Sequence, residues 1–565
     1  LAATAFFVSS DNNCYFNSPN YAVPIEMTNT HYDYIVIGSG FGGSVASMRL
    51  AEKGYHVLVI EKGKRWTETD FPKSNWNLKK YLWLPLLRWF GFLKLNFFRE
   101  VFVLSGVGVG GGSLVYANTH MMPPDLFFTN PAWAKLNDWK AVLLPFYEKA
   151  RFMLGSKRYD KEHAEDIVLK EIATEMNRNH TYGRVHSVGV YLGDPSIETD
   201  PYFNGLGPKR KGCIECAGCM VGCRHNAKNT LDKNYLWFAE KLFGATIMAE
   251  TEVIKIGHNP DGTYRIEARS STSQKVNQVF TSSGVVVSGG VLGTLSLLLR
   301  QKYEYKTLPL LSDRLGENVL TNSEMLSGVV SADQKLNNGL AISTVFNPDD
   351  DTHIELVKFP DHSGALTRLG VMAAGSGVPA VRTLKMIGNS FLHPLRLLRS
   401  VFQKNIARNS VIFLIMQSLP NAMRLTLKKG LFRTRLAFLN DSRQKVPSYI
   451  PIGQEVLYRY AAKVKGIPVN AFSEVVFGLA STAHILGGCP IGITAEEGVV
   501  NNKFQVFGYN NFYILDGSII PCNLGVNPSL TITALAEYAM SQVPAKPGTK
   551  VKTLDEQLAE ARNNQ

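Results

Sequence analysis

Nowhere in this chain of 565 residues do eighteen apolar residues follow one another, so the ordinary signature of a membrane-spanning helix is missing. Internal repeats and low-complexity blocks are also missing, which leaves neither a solenoid nor a disordered array as the reading. Charged residues make up 19% against 45% hydrophobic, a globular balance, and the length calls for two or three domains. Cysteine is scarce: of seven, Cys14, Cys489 and Cys522 stand alone. That is not a disulfide framework, and it points to a reducing compartment. The chain starts at Leu1 rather than Met, so a removed targeting segment stays open.

Acidic residues are absent from two long stretches. Between Asp361 and Asp441 there are twelve Lys or Arg and no acid; between Asp70 and Glu100 there are six more. These eighteen exceed the whole net charge of +13, so the remainder is near neutral. A nucleic-acid binder would be basic more uniformly; two local basic surfaces, and no nucleic-acid partner, are expected.

What is abundant is glycine in particular places. HYDYIVIGSGFGGSVASMRLAEKGYHVLVIEKG, His31 to Gly63, reads strand, turn, helix, turn, strand. The short apolar run Tyr34–Ile37 leads into Gly38-Ser39-Gly40-Phe41-Gly42-Gly43, and Glu61 closes the second strand, 18 residues after Gly43. In this setting G-x-G-x-x-G is a dinucleotide fingerprint. Gly38 permits the tight turn, Gly40 lets backbone approach a pyrophosphate, Gly43 allows close helix packing, and Glu61 takes the ribose hydroxyls. The helix N-terminus holds the anion. A second run, SGVGVGGGSLVYAN, Ser105 to Asn118, costs backbone entropy that close approach to the same ligand would justify. It places Gly106, Gly110, Gly111, Ser113 and Asn118 among the cofactor candidates. Further strand–turn–helix units occur at 284–300 and 511–540, so the nucleotide domain is assembled from separated pieces. Residues 131–208 and 331–474 then form a second domain over the site.

STAHILGGCPIG, Ser481 to Gly492, and LDGSIIPCNLGVNPSLTITALAE, Leu515 to Glu537, carry a more specific signal. With the glycine motifs, they make the chain, from about 31 to 545, resemble the glucose–methanol–choline (GMC) flavin oxidoreductases, nearest to cholesterol oxidase-like members. The resemblance implies an α/β protein. Its Rossmann-type FAD-binding domain would come from 31–130, 209–330 and 475–545, and an α+β substrate domain with a mainly antiparallel sheet from 131–208 and 331–474. It also implies FAD, contacted in addition by Val253, Asp516, Gly517 and Pro528, and oxidation of a lipophilic alcohol, a sterol or long-chain alcohol. Alternatives are an enzyme passing electrons to O2 and making H2O2, and a non-catalytic flavoprotein.

Alcohol oxidation by a flavin needs a base for the hydroxyl proton and an orienting partner. An imidazole suits the first role. By resemblance, His484 matches the family's active-site histidine and Asn527 its partner asparagine. Glu355, followed by Pro360, looks like the glutamate that such enzymes carry above the flavin. It would move a proton in a double-bond isomerisation; a solvated strand-end carboxylate is the other reading. Cys489 reads as a small buried hydrophobe rather than a nucleophile.

The two basic stretches are also apolar. Leu78 to Arg99 mixes Trp, Leu and Phe with Lys and Arg. Phe391 to Arg408 puts Phe391, Leu395, Leu398, Phe402 and Ile406 on one helical face, with Arg396, Arg399, Lys404 and Arg408 on others. That is the pattern of an interfacial amphipathic helix; a core-facing helix with a solvated basic side is the competing reading. Segments 78–99 and 391–436 are expected to face an anionic lipid surface, peripherally, on the cytoplasmic face of a bacterial inner membrane.

Finally, Cys213, Cys216, Cys219 and Cys223 stand at C-x2-C-x2-C-x3-C, the bacterial ferredoxin spacing, although Arg224 follows where ferredoxins have proline. One iron–sulfur cluster, 4Fe-4S or 3Fe-4S, is the leading reading, ahead of zinc and of no metal. It would pass electrons from FAD to a quinone or cytochrome and make the enzyme a dehydrogenase.

Overall fold

A computed structural model describes residues 25–563, apart from 186, 274–276, 396–397, 399–401, 431–433 and 440–444. Cys14, Arg396 and Arg399 lie outside the described residues.

The first sheet has seven strands. Ile25–Ile37 lies at its centre, parallel to Val57–Ile60 on one side and to Asn277–Val287 on the other, with Thr246–Met248 beyond Val57–Ile60. On the side away from Ile25–Ile37, the long strand Asn277–Val287 serves two partners. Its first half pairs antiparallel with Tyr264–Ser270, while Val285–Val287 pairs parallel with Phe512–Ile514. Val36, Val57–Val59 and Val285–Val287 are fully buried, as strands covered on both faces must be. The covering helix Phe41–Glu52 is buried at every position and packs on Ser529–Ser541. Its one arginine, Arg49, meets Glu537 in a two-pronged bond of 2.8 and 2.9 Å, and Tyr235 donates to the same carboxylate at 2.7 Å.

The second sheet also has seven strands, all antiparallel, in the order Gly370–Met372, Ile467–Ala471, Met325–Val330, Ser410–Gln417, Thr352–Val357, Ile342–Phe346, Gly183–Arg184. One face buries Met325, Val329, Phe413 and Ile415 under helices Ala164–Glu175 and Pro451–Lys463. The other turns Leu326, Ile342, Val357, Ile412 and Leu414 toward a cavity. The fold class is thus α/β with a separate antiparallel sheet.

The chain is distributed differently from the sequence reading in three places. Met325–Val330, expected within the nucleotide-binding piece, is an interior strand of the second sheet. Trp139–Met153, expected in the second domain, packs on the first core: Trp139, Leu143 and Tyr147 join it, and Tyr147 donates to Thr531 at 3.0 Å. Of the two stretches expected to face lipid, Leu78–Arg99 is folded inward only in part: Tyr81, Phe92 and Leu93 are buried against Trp66 and Phe71, while Leu78, Leu86 and Leu87 are exposed. Within 391–436, Ser410–Gln417 is a core strand, and Arg424–Lys429 forms a hairpin with Thr434–Leu439 that borders the cavity. Unbroken apolar runs cannot tell a buried strand from a lipid-facing surface by themselves. The exposed stripe begins earlier in the chain, on the helix Pro379–Leu392: Leu384, Phe391, Leu392 and, beyond the helix, Leu395 and Phe402 are each 69–81% exposed.

Candidate active site

A cavity of about 2100 Å³ lies between the two sheets. Single-ligand pockets run to about 300–1,000 Å³, so this one has room for a dinucleotide and a second molecule. Its floor is the fingerprint. Gly38 has φ +95°, and a Cβ there would lie 2.3 Å from the Ser288 carbonyl; one at Gly43 would lie 2.0 Å from the Gly38 carbonyl. At Gly40 a Cβ meets no protein atom within 4 Å. Gly40 is therefore kept bare by something other than the protein, at the mouth of a helix whose N-terminus has no side-chain cap. That is what a pyrophosphate requires. The second glycine run closes on the first, since a Cβ on Gly111 would lie 2.7 Å from Gly40 Cα. The residues thus fit FAD.

Glu61 lines the cavity and is held by its surroundings. Its Oε2 accepts from Ser39 N and Oγ at 3.1 and 2.8 Å, and its Oε1 from Gly63 N at 2.9 Å. Gly106, Val253, Asp516, Gly517 and Pro528 also line the cavity. Ser113 and Asn118 do not. Ser113 Oγ donates to Gly110 O at 2.7 Å and accepts from Leu231 N at 3.1 Å, so it ties the glycine loop to the distant turn Leu231–Lys233. Asn118, left-handed at φ +69°, donates to Cys219 Sγ at 3.2 Å. Gly43 and Gly110 act through packing and turn geometry, with φ +101° at Gly110.

Three residues far apart in sequence meet beside the cavity, which His484 and Asn527 line and the fully buried Glu355 does not. Asn527 Nδ2 lies 3.2 Å from Glu355 Oε2 and 3.4 Å from His484 Nε2. Asn527 Oδ1 is buried without a partner. The sequence reading missed a fourth member: Glu324 Oε1 bonds His484 Nδ1, and its Oε2 accepts the Ala483 N–H at 2.7 Å. Glu324 opens the strand Met325–Val330, and an acid at the head of an apolar strand was the one available signal. Burial pulls the His484 pKa down, but the Glu324 carboxylate, with a smaller push from Glu355, outweighs it and holds the pKa above its ordinary value. Because Nδ1 is committed to Glu324, the free nitrogen is Nε2, which faces Asn527. That arrangement can accept a hydroxyl proton.

The Cys213–Cys223 loop borders the same cavity through Met220. It turns through left-handed Glu215, Ala217 and Gly222. The four thiols are free. Burial, reinforced by the neighbouring sulfurs, pushes Cys213, Cys216 and Cys219 up, Cys216 to about 11. Among the described residues, no three or more His, Cys, Asp or Glu are grouped to hold a metal ion. The expected gathering of four sulfurs is not what this arrangement displays. The Asn118 amide takes the Cys219 sulfur, and the Glu215 N–H takes that of Cys213, at 3.3 Å.

With this geometry in view, comparisons with known proteins fall into place. Residues 206–318 and 442–536 match models of the GMC oxidoreductase family, and 36–67 a model of an NAD(P)-binding Rossmann-like domain. A cholesterol oxidase of Acinetobacter baumannii is 39% identical over 552 residues, covering 95% of this chain and 98% of that protein. The chain belongs to the GMC oxidoreductase family. As such it is an oxidoreductase, and FAD is the cofactor that GMC oxidoreductases bind. A cholesterol oxidase of Mycobacterium tuberculosis is 40% identical, covering 91% of both chains. A long-chain-alcohol oxidase, FAO4B of Arabidopsis thaliana, is 23% identical, covering 90% of this chain and 67% of its own. Pyridoxine 4-oxidase from Mesorbium loti shares the fold, with a TM-score of 0.57 at 14% identity, covering 90% of this chain and 98% of its own.

Proposed function

We propose that this enzyme oxidises the CH–OH group of a lipophilic alcohol, a sterol or a long-chain alcohol. The observation that carries the reading is the junction of His484, Asn527 and Glu355, the first two of which line the cavity together with the apolar side chains of the second sheet. FAD, when bound, supplies the acceptor for the hydride from the carbinol carbon. His484 Nε2 takes the hydroxyl proton, and Glu324 stabilises the imidazolium that results. Asn527 orients the alcohol: its unpaired Oδ1 is an acceptor still to be filled. Leu326, Ile342, Val357, Ile412 and Leu414 exclude water and suit an apolar body. The names of the relatives, cholesterol oxidase and long-chain-alcohol oxidase, support the same substrate class.

The exposed stripe from Leu384 to Phe402 supports delivery from a bilayer, with the protein bound peripherally. No helix among the described residues is long and apolar enough to cross a membrane. The cavity-lining Phe472 and Phe477, 39% and 43% exposed, follow the strand that pairs with Gly370–Met372, just before this stripe. Mixing the enzyme anaerobically with a sterol and, separately, with a long-chain alcohol in mild detergent tests the reading: one of them should bleach the flavin band. Bound FAD that neither bleaches would overturn it.

For the electrons' exit, O2 with H2O2 as product is the reading that the relatives' names favour. One observation keeps a dehydrogenase in contention. Lys228 and Arg210, beside the cysteine loop, are 1% and 2% exposed, yet donate only to carbonyl and amide oxygens. The Asp232 carboxylate acts on both cations, so two buried positive charges share one carboxylate; such an imbalance is costly, and thiolates of a cluster-bearing loop would even it out. Such a cluster would pass electrons to a quinone or cytochrome. Iron and acid-labile sulfide in anaerobically purified protein, lost in Cys216→Ser, would establish it. Iron-free protein producing peroxide rapidly in air would exclude it.

A further inference from the structure

Glu474 has no place in the chemistry above, yet it is fully buried in the short helix Phe472–Val476, beside the cavity-lining Phe472 and Phe477. Its carboxyl lies between the two segments that carry the Glu324–His484 pair. On one side, Oε1 accepts the Leu326 N–H at 2.9 Å. Leu326 is two residues beyond Glu324. The ladder between Met325–Val330 and Ile467–Ala471 stops one residue short of it, with Ser327 opposite Asn470. The carboxyl thus takes the N–H that the ladder leaves over. On the other side stands Ser481, whose hydroxyl draws on the same carboxyl. No hydrogen bond reaches Oε2 among the described residues, so this side is the looser. Ser481 lies three residues before His484, in the strand Ala480–Thr482, and His484 N donates to Thr482 Oγ1 at 2.9 Å. Glu474 is itself held in place: Arg382 Nη1 donates to its backbone carbonyl at 2.9 Å.

We propose that Glu474 is a positioning residue whose carboxyl braces the strand head bearing Glu324 against the strand leading to His484, and so holds the two in contact. The brace works wherever the Glu474 proton lies. Burial outweighs the Leu326 N–H, Ser481 and Arg382 and pushes its pKa up to about 8, but an unprotonated carboxyl oxygen accepts an N–H in either state. Nor does the fold hang on it. From Met325 onward the strand is also paired with Ser410–Gln417, which leaves the sheet intact without the brace. What is lost is the restraint on the side of Ala480–Thr482, which packs on both the strand and the helix. The charged groups acting on His484 are Glu324 and, more weakly, Glu355, with His353 behind Glu355. The one acting on Glu474 is Arg382. None of them links the two segments as Glu474 does.

The proposal rests on the reading of His484 as the base, and a measurement independent of turnover keeps the two apart. In Glu474→Leu the Leu326 N–H loses its acceptor and the Glu324–His484 contact loosens. The His484 pKa, which Glu324 holds up, then falls, and the acid limb of kcat/KM should move down by about one pH unit, part of a charge-assisted hydrogen bond. Glu474→Gln, whose amide oxygen still accepts from Leu326, should leave the limb in place. An NMR titration of the FAD-loaded protein with labelled imidazoles should show the same pattern without substrate, the His484 signal being assigned by its loss in His484→Ala. Should Glu474→Leu not fold, Ser481→Ala removes one hydroxyl from the looser side of the brace and should move the titration in the same direction by less. A His484 titration unchanged in the variants that fold, or moved as far by Glu474→Gln, would overturn the positioning role. A shifted titration in a protein inert toward alcohols would uphold the brace while refuting the function on which it rests.

Discussion

Replacing Glu324 with Gln is the sharpest test of the base. The carboxylate serves two donors with two oxygens: Oε1 holds His484 Nδ1, and Oε2 holds the Ala483 N–H at 2.7 Å. An amide has one oxygen. Whichever donor it keeps, the other faces an NH2 group in a site where Glu324 is fully buried. The imidazolium formed during the reaction also loses its counter-charge. A charge-assisted bond or an orphaned buried donor is worth about 1.5–3 kcal/mol, so kcat/KM above the acid limb should fall about 10- to 150-fold. The limb itself should move. Only neutral Nε2 accepts a proton, so activity rises as pH passes upward through the His484 pKa, which Glu324 holds above its ordinary value. In Glu324→Gln the downward push of burial remains and the opposing charge is gone, so the limb shifts to lower pH. The same linkage has a stability counterpart. The contribution of the raised His484 pKa is fully present below the unfolded value near ~6.5 and is lost as pH rises through the folded one. Steady-state kinetics from pH 5 to 9, with the flavin spectrum as a check on folding, would decide. A limb that stays put, or a rate within twofold, would refute the assignment.

Three further outcomes are expected. His484→Ala should keep FAD and its visible spectrum but lose about 10²–10⁴-fold in turnover; wild-type rates would remove His484 from the chemistry. Gly40→Val should leave the thermal midpoint of the FAD-free protein near wild type, because that position is open, yet abolish FAD retention. Gly42→Ala, whose Cβ would sit 1.7 Å from the Leu515 carbonyl, should destabilise the fold itself by about 1–3 kcal/mol; reversal of that order would contradict the packing described. Leu384→Asp/Phe391→Asp should abolish flotation with anionic liposomes while turnover of a detergent-dispersed alcohol stays within about twofold, and unchanged flotation would dismiss the exposed stripe as a lipid contact.

Local motifs made the nucleotide floor legible: Gly38, Gly40, Gly43 and Glu61 form a contiguous strand–turn–helix–strand unit whose geometry is set by neighbours in sequence. His484, Asn527 and Glu355 were legible only through family resemblance, since nothing local says that residues 172 and 43 positions apart will meet. Glu324 was barely legible. Its partner His484 lies 160 residues away, and a contact over that span leaves no periodic trace. The same gap explains Ser113 and Asn118, which belong to a cofactor loop but spend their side chains on the chain behind it. It also explains Ser410–Gln417, whose apolar run lies in a sheet rather than at a lipid surface.

The parallel sheet closes with Phe512–Ile514, and the helix Phe41–Glu52 needs Leu515 and Glu537 beside it. At about 5–20 residues per second of synthesis, the first strand waits roughly 25–95 s for that neighbour. During this interval the fingerprint exists as a sequence but not as a site, and the apolar strands Tyr34–Ile37 and Val57–Ile60 have no finished layer to enter. The nascent protein is thus predicted to depend on chaperones until the strand Phe512–Ile514 has left the ribosome. Truncation before residue 512 should yield aggregated, colourless protein rather than a smaller flavoprotein.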